Sequence, residues 1–298
     1  AERTTRDNLV VRDPDGVVRG WVGAHDRAAG RMLLTLVVDP MLEPAPADAV
    51  ARVLLRWADD TARRIGAERG LDRQQIDSGA FADDPRQHRW LEQGGFDLVR
   101  TWWQMTRPTA EGDAERDTEA GPGVRIRRVR RQGSGMPDED DLRVVHDVLE
   151  SAFADHFNSH EETFDEFLSR LREDPGHRWD HWWVAELVGS GGDGDGEEGG
   201  DVEGVPAGAL VGSVSGGEDG QPAASYVEYI GVLQSARGRG VAKSLLNTVI
   251  ADAAAAGRSG VGLEVDADSP TGADALYVAL GWRTDYVTQS WHRTVPIV

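Results

Sequence analysis

Residues 237–246, RGRGVAKSLL, place two arginines and two glycines directly before an apolar helical run. The first N–H groups of a helix have no partner within it, and the helix dipole gives this end partial positive charge. The glycines allow the backbone to turn tightly, and the arginines add charge-assisted donors for an anion. The segment therefore predicts an anion site that suits phosphate at the start of a helix over 241–256.

The rest of the chain is strongly acidic. Its 298 residues include 52 Asp and Glu against 32 Lys and Arg, a formal charge of −20. Such a surface repels a phosphate backbone, which argues against general nucleic-acid binding. There is no cysteine, so disulfides and thiolate metal sites are excluded, and no apolar stretch approaches the ~20 residues that span a bilayer. We expect a cytoplasmic monomer or homodimer without a metal and without nucleic-acid or membrane partners.

Two polar, glycine-rich segments interrupt the sequence. Residues 107–123 have almost nothing to bury, which is typical of a linker. Residues 189–204 lie between two strand-like stretches and predict a long, disordered acidic hairpin loop. The predicted organisation is a first half over 1–108, a linker over 109–122 and a second half over 123–298.

The two halves share a faint internal repeat. Each has a strand-like stretch followed by a helix, at 32–40 and 49–67 in the first half and at 226–234 and 241–256 in the second. Each ends with an apolar helical segment, a glycine, an aromatic residue and an aromatic-rich strand. The second half reads strand, two helices, three strands, helix, strand, helix, strand. This order predicts a mixed α/β (α+β) fold.

The second half resembles the GNAT superfamily of acetyl-CoA-dependent N-acetyltransferases. Two linked motifs within 226–282 carry the resemblance: Arg237-x-x-Gly240-x-Ala242, and Leu276-Tyr277 followed by Gly281-Trp282. The resemblance implies an intact mixed sheet flanked by helices, whose two central parallel strands splay to admit the acyl arm. It also implies that acetyl-CoA, as co-substrate, donates an acetyl group to a primary amine of a small molecule by direct attack through a tetrahedral intermediate.

The same resemblance implies residue roles. Backbone amides of the loop before the helix would cradle the coenzyme A pyrophosphate, and the preceding strand would hold the pantetheine. A backbone N–H near Val232 would face the thioester carbonyl and stabilise the oxyanion. Ser269 stands near where many relatives carry an asparagine that hydrogen-bonds the coenzyme arm. The expected coenzyme-binding residues are Ile230, Gly231, Val232, Arg237, Gly238, Arg239, Gly240, Val241, Ala242, Lys243 and Ser269.

Two side chains are expected to move protons. Tyr277 occupies the usual position of the general acid, and its phenol would protonate the departing thiolate. Glu228, on the strand that enters the loop, is the leading base, acting directly or through water. In many relatives the base falls at Tyr226, which alternation puts on the same strand face. Glu228, Tyr226 and a chain of water molecules therefore stay open as the base.

The acceptor is less well defined. Residues 152–164 connect two helices where relatives shape the acceptor pocket, and acidic Asp155 and Glu161 would attract a cationic amine. His156 and His160 are four apart, but no third ligand supports a metal there. The sequence leaves open the amine and the length of the acyl group. Two alternatives to a small-molecule enzyme remain: a non-catalytic acyl-CoA-binding or regulatory module, and a protein or peptide N-acetyltransferase.

The first half lacks both motifs. Glu43 and two prolines stand where the second half has its arginines and glycines, and aligning Gly95 with Gly281 puts Leu91 opposite Tyr277. We therefore expect a degenerate GNAT-like half without chemistry of its own. Whether it is incomplete at its N-terminus or binds a ligand is left open. Tandem members of the family such as mycothiol synthase pair a degenerate half with an active one in this way.

Overall fold

The computed structural model describes residues 6–27, 30–118, 121–131, 133, 136–154, 162–173, 179–188, 204–217, 222–269 and 272–297. The chain divides into two compact units. The first unit contains Ala1–Gln104, Val265–Gly272 and Thr284–Val298, and the second contains Met105–Glu264 and Ala273–Arg283. The last strand of the sequence thus belongs to the first unit, unlike in the predicted division at residues 108 and 123.

In the second half, the helices and strands follow one another in the expected order. In chain order they are β1 (Arg6–Arg12), β2 (Val18–Arg27), β3 (Arg31–Val38), α1 (Pro44–Glu68), β4 (Arg73–Phe81), α2 (Pro85–Gln93), β5 (Asp97–Pro108), β6 (Val124–Arg128), α3 (Glu139–Phe153), α4 (Phe164–Glu173), β7 (Trp182–Leu187), β8 (Val205–Ser215), β9 (Ala224–Val232), α5 (Val241–Ala255), β10 (Gly260–Asp266), α6 (Ala273–Ala279) and β11 (Arg283–Pro296). Short 3-10 turns precede β6 and α5. The predicted mixed α/β class is confirmed.

The first unit is built on the strand order β1-β2-β3-β4-β11-β5. β3 and β4 are parallel, whereas β11 runs antiparallel to β4. Helix α1 begins earlier than the predicted residue 49, because a proline is well tolerated in a first turn, where the N–H is unpaired anyway. The helix buries a stripe against the sheet core of Met32, Leu34 and Ile76. This core includes Trp291 of β11.

The second unit has the strand order β10-β9-β8-β7-β6, with β9 and β10 parallel and the remaining neighbours antiparallel. Helices α3 and α5 cover opposite faces of this sheet. Ala209 and Val211 join the core beneath α3. A Cβ at the adjacent Gly208 would instead meet Val241 of α5 at 2.9 Å, as the alternation of strand side chains requires. Trp182 and Trp183 are both buried.

An ion network fixes the start of α3 to the sheet. Asp141 is 1% exposed and accepts bonds of 2.7 and 2.9 Å from Arg127 and of 2.8 Å from Arg130. Burial alone would raise the pKa of Asp141, but the hydrogen bonds from these arginines outweigh it and hold the pKa well below its usual range. Arg127 also bonds Glu186 of β7 at 2.8 Å. The network therefore contributes to stability rather than to a site.

The predicted linker is better packed than its composition indicates. Asp113 is buried and accepts bonds of 2.7 and 2.8 Å from Arg107, which hold its pKa below the ordinary value. Arg116 bonds Asp113 at 2.9 Å and reaches Asn247 of α5 at 2.8 Å. The Asn247 amide donates in turn to the Asp117 carbonyl at 2.9 Å. Residues 107–117 thus brace α5.

The seven elements β1-β2-β3-α1-β4-α2-β5 recur in the same order as β7-β8-β9-α5-β10-α6-β11. The ends of α2 and α6 also match in detail. The Phe96 N–H donates to the Leu91 carbonyl at 3.0 Å, and the Trp282 N–H donates to the Tyr277 carbonyl at 3.0 Å. Gly95 and Gly281 both have positive φ, 77° and 99°. This confirms the alignment of Leu91 with Tyr277, while the loss of function from the first half stays a prediction.

Two predicted features fall largely outside the described residues. These are the acidic loop over 189–204, of which only Gly204 is described, and most of the α3–α4 connection with His156 and His160. The flanking strands β7 and β8 do pair antiparallel, as expected for a hairpin. Within the described part of the chain, no helix is long and apolar enough to cross a membrane.

Candidate active site

The loop between β9 and α5 exposes a run of backbone donors. Gly240 caps α5 with φ 79°, Gly238 has φ 77°, and no side chain caps the helix. The first bond into the helix is that of the Ser244 N–H to the Gly240 carbonyl, at 3.0 Å. Among the described residues, the N–H groups of residues 238–243 therefore have no hydrogen-bond acceptor. Six consecutive free donors at a helix N-terminus form an anion receptor.

Charge at the loop favours the same ligand. Arg237, Arg239 and Lys243 are exposed. No carboxylate partner is found for them within the residues that the structure covers, although Arg107, Arg127 and other arginines of the unit form ion pairs. Val241 is buried and Ala242 half-buried, so α5 is anchored while its first turn remains accessible. A Cβ at Gly238 would meet nothing within 4 Å, which leaves room for a phosphate group against the backbone.

The strand that enters this loop separates from its parallel neighbour. β9 pairs with β10 only from Ser225 to Val227, although β9 continues to Val232. The Leu233 N–H donates to the Ala207 carbonyl on β8 at 2.9 Å. Since successive N–H groups of a strand point to opposite sides, the Val232 N–H points away from β8, toward the edge where pairing with β10 has ended. Ile230 points its N–H the same way, and both residues are half-buried.

Gly231 lies where α3 packs closely on β9. It pairs in regular register with Ala209, so the strand is not interrupted there. A Cβ on Gly231 would lie 2.9 Å from the Ala152 side chain and 3.1 Å from that of Leu149. The glycine is therefore needed for the close approach of α3.

The irregular residue of β9 is Glu228. Gly212 pairs with Val227 and Val211 with Tyr229, so Glu228 has no partner on β8 and forms a β-bulge. Its side chain is exposed, and one carboxylate oxygen accepts a 2.5 Å bond from the Ser213 hydroxyl. The bulge is not detectable from the sequence pattern.

Tyr226, the alternative base, lies opposite Ser213. Tyr226 and Ser213 therefore lie on one face of the sheet, and Ser213 bonds Glu228. This agrees with the prediction that Tyr226 and Glu228 share a strand face. Its ring covers Gly262, since a Cβ there would come within 2.9 Å of a Tyr226 ring carbon. Glu228 is the more exposed of the two side chains.

Tyr277 lies near the end of α6 with its side chain buried at 7% exposure. Its ring contacts Trp282 edge-on at 6.1 Å between centroids. Burial raises the pKa of Tyr277 to about 12. The phenol is therefore fully protonated at neutral pH and available as a hydrogen donor, and it has no hydrogen-bond partner in the described part of the chain.

The remaining predicted residue, Ser269, belongs to the first unit, where its N–H bonds the Asp266 carbonyl at 3.1 Å.

The structure also identifies a neighbour of the loop that the sequence did not single out. A Cβ on Gly121 would lie 3.0 Å from the Arg239 carbonyl, so this glycine permits a close contact with the loop. In the sequence, the only indication of this contact is the glycine itself, which lies in a polar segment.

The corresponding helix of the first unit offers no such receptor. The N-cap of α1 is Glu43, and Pro44 begins the helix without an N–H. A carboxylate and a missing donor at this position oppose anion binding. Groups of three or more side chains that could hold a metal ion are likewise absent from the described residues.

Comparison with protein families gives one match. Residues 145–282 match the acetyltransferase (GNAT) family, a range that contains the loop, Glu228 and Tyr277. This match supports acyl-CoA-dependent acetyl transfer to an amine acceptor. No curated protein is significantly similar in sequence to the chain.

Solved structures extend the likeness to almost the whole chain. A GCN5-related N-acetyltransferase from Sphaerobacter thermophilus is 22% identical with a TM-score of 0.74, over 98% of this chain and 82% of that one. A tandem GNAT protein from the clavulanic acid biosynthesis pathway is 16% identical with a TM-score of 0.64, over 98% and 83%. At these identities the likeness shows the fold. The match of residues 145–282 to the acetyltransferase (GNAT) family identifies the protein as an acetyltransferase enzyme.

Proposed function

We propose that this protein is a cytoplasmic enzyme that transfers an acetyl group from acetyl-CoA to the primary amine of a small molecule. The observation that carries the proposal is the run of six N–H groups, residues 238–243, for which the described residues provide no acceptor at the start of α5. A diphosphate ester needs several donors and cations at one point, and this loop offers both in a chain of charge −20.

The residues fit coenzyme A along its length. Arg237, Arg239 and Lys243 would neutralise the diphosphate beside the amides. The β9 edge at residues 230–232 would bond the pantetheine where β10 no longer does. The role of Ser269 stays a prediction from the resemblance. Acetyl-CoA would supply the activated acyl group and a thiolate leaving group.

Three groups would then serve the transfer. Glu228, or Tyr226 or water in its place, accepts a proton from the amine as the nitrogen–carbon bond forms. The Val232 N–H donates to the thioester carbonyl oxygen as negative charge develops there. Tyr277 donates its proton to the sulfur as the carbon–sulfur bond breaks, and solvent reprotonates the phenolate. Because burial raises the pKa of Tyr277 to about 12, the phenol carries its proton at neutral pH and can act as the donor.

Two other functions make different predictions. A non-catalytic acyl-CoA-binding module would bind coenzyme A without turnover, and the combination of Tyr277 with Glu228 speaks against it. A protein or peptide acetyltransferase would prefer a lysine peptide or a free N-terminus over small amines. The likeness to mycothiol synthase in particular stays a prediction, and its substrate is not carried over.

The test combines binding with turnover. Calorimetry with coenzyme A measures the loop, and thiol release from acetyl-CoA with tyramine, spermidine, glucosamine and a lysine peptide measures transfer. We expect binding and amine-dependent thiol release, strongest with a small amine. Binding without thiol release would favour the non-catalytic module, and a preference for the peptide would favour the third function. Absence of coenzyme binding would refute the proposal.

A further inference from the structure

A buried serine on the neighbouring strand holds the exposed carboxylate of Glu228. Ser213 of β8 is 7% exposed, and its hydroxyl donates to one Glu228 oxygen at 2.5 Å. A hydroxyl-to-carboxylate bond of this length is charge-assisted and stronger than a neutral one. The second carboxylate oxygen has no partner among the described residues.

The β-bulge explains how the two side chains meet. Without it, Glu228 would face its own partner on β8 in regular register. Between two consecutive pairs, β9 advances by two residues, from Val227 to Tyr229, whereas β8 advances by one, from Gly212 to Val211. Glu228 is therefore the extra residue. Bulges re-aim side chains and are frequent beside active sites.

Gly212, beside the bulge, permits a close approach of His181. A Cβ at Gly212 would lie 2.7 Å from the His181 ring and 3.2 Å from the Tyr226 carbonyl. Ser213, the next residue, supplies the only side-chain bond to Glu228 in the described part of the chain.

We propose that Ser213 is a positioning residue for the base. Its hydroxyl restricts the otherwise free Glu228 side chain to one orientation and leaves the second carboxylate oxygen to accept the proton of the amine. This inference rests on the proposed function, and within it on Glu228 rather than Tyr226 as the base. It assigns to β8 a part in catalysis that neither family motif contains.

The test compares Ser213→Ala with Ser215→Ala, a matched control at an exposed serine two residues along β8. Turnover is followed as thiol release from acetyl-CoA with the four amines named above, and also with water as acceptor. We expect Ser213→Ala to lower kcat about tenfold, as for loss of a bond that orients a general base. The dissociation constant for coenzyme A should stay within about twofold, and Ser215→Ala should behave as wild type.

Two further comparisons separate positioning from folding. Ser213→Thr and Ser213→Val have nearly the same shape, so only the threonine variant should retain kcat within about threefold. In a double-mutant cycle, Ser213→Ala should add less than about twofold to the loss caused by Glu228→Gln. If the alanine variant does not fold, the threonine and valine pair carries the test.

The outcomes distinguish the inference from the function. Full turnover in both Ser213→Ala and Ser213→Val, with a large loss in Glu228→Gln, would overturn the positioning role and leave the acetyltransferase proposal intact. The same would follow from equal losses for Ser213→Ala in both backgrounds of the cycle, or from full turnover in Glu228→Gln. No thiol release by the wild-type protein would overturn the proposed function and this inference with it.

Discussion

Substitutions at Gly240 can separate the effect of a negative charge on ligand binding from the effect of backbone strain at the proposed diphosphate site. Gly240 caps α5 with φ 79°, and a Cβ there would meet nothing closer than the Gly121 nitrogen at 3.9 Å. Asn and Asp tolerate this left-handed conformation best among the non-glycine residues, at a similar strain of about 1 kcal/mol. Gly240→Asn and Gly240→Asp therefore share their steric effects and differ by one negative charge.

The size of the charge effect follows from Coulomb's law. A new carboxylate would lie about 5 Å from a phosphate held by the first helical N–H groups, where two unit charges repel by about 3 kcal/mol at an effective dielectric constant of about 20. Screening at an exposed loop reduces this value. We therefore expect Gly240→Asp to bind coenzyme A about 30- to 100-fold more weakly than Gly240→Asn.

Titration calorimetry with coenzyme A at two salt concentrations is the assay. The difference between the two variants should shrink as the salt concentration rises, because the repulsion is screened. A charged residue at Pro46, in the first turn of the corresponding helix of the first unit, should leave affinity unchanged. Equal affinities for Gly240→Asn and Gly240→Asp would show that no anion binds at the start of α5, and equal losses at positions 240 and 46 would point to a second site.

Three further predictions concern catalysis and stability. Tyr277→Phe should lower kcat at least about tenfold with coenzyme affinity intact, measured by thiol release; an unchanged rate would remove the phenol from the mechanism. Asp141→Asn should cost about 2–3 kcal/mol of unfolding free energy in urea at pH 7, because Arg127 loses one of its two buried carboxylate partners. Since the pKa of Asp141 is lowered in the folded state, the carboxylate contributes its full stabilisation above about pH 4, and this stabilisation is lost as the pH falls further. The unfolding free energies of wild type and variant should therefore converge in acid. A difference that stays constant with pH would contradict the assignment. Asp113→Ala should destabilise the protein by about 2 kcal/mol through the unpaired Arg107, whereas a residue in a free linker would have no effect.

The order of elements could be predicted because it depends on local patterns. Apolar spacing, glycines after helices and strand alternation predicted the second half element by element, and the matching turns at Gly95 and Gly281 confirmed the internal alignment. The start of α1 was placed too late, because the prolines were interpreted as a turn rather than as a first helical turn.

Features that depend on tertiary context were not predictable. The bulge at Glu228 arises from a register shift between two strands and leaves no trace in the alternation of either one. The close approach of α3 to Gly231 likewise depends on packing between elements that are distant in the sequence. The burial of Asp113 depends on Arg107 and Arg116, and composition alone cannot show which charges of a polar segment pair with one another.

The placement of β11 has a practical consequence for anyone who wishes to isolate the acetyltransferase half. A fragment cut at the predicted boundary, residues 123–298, would retain β11 but lose β4, against which nine of its residues are paired. Trp291 and Val295, which are buried in the first unit's core, would then face water. The fragment would also lack the Arg107–Asp113 ion pair in the segment that packs against α5. Such a truncated gene product should be prone to aggregate, and co-expression with residues 1–122 should rescue it, as in split-protein complementation.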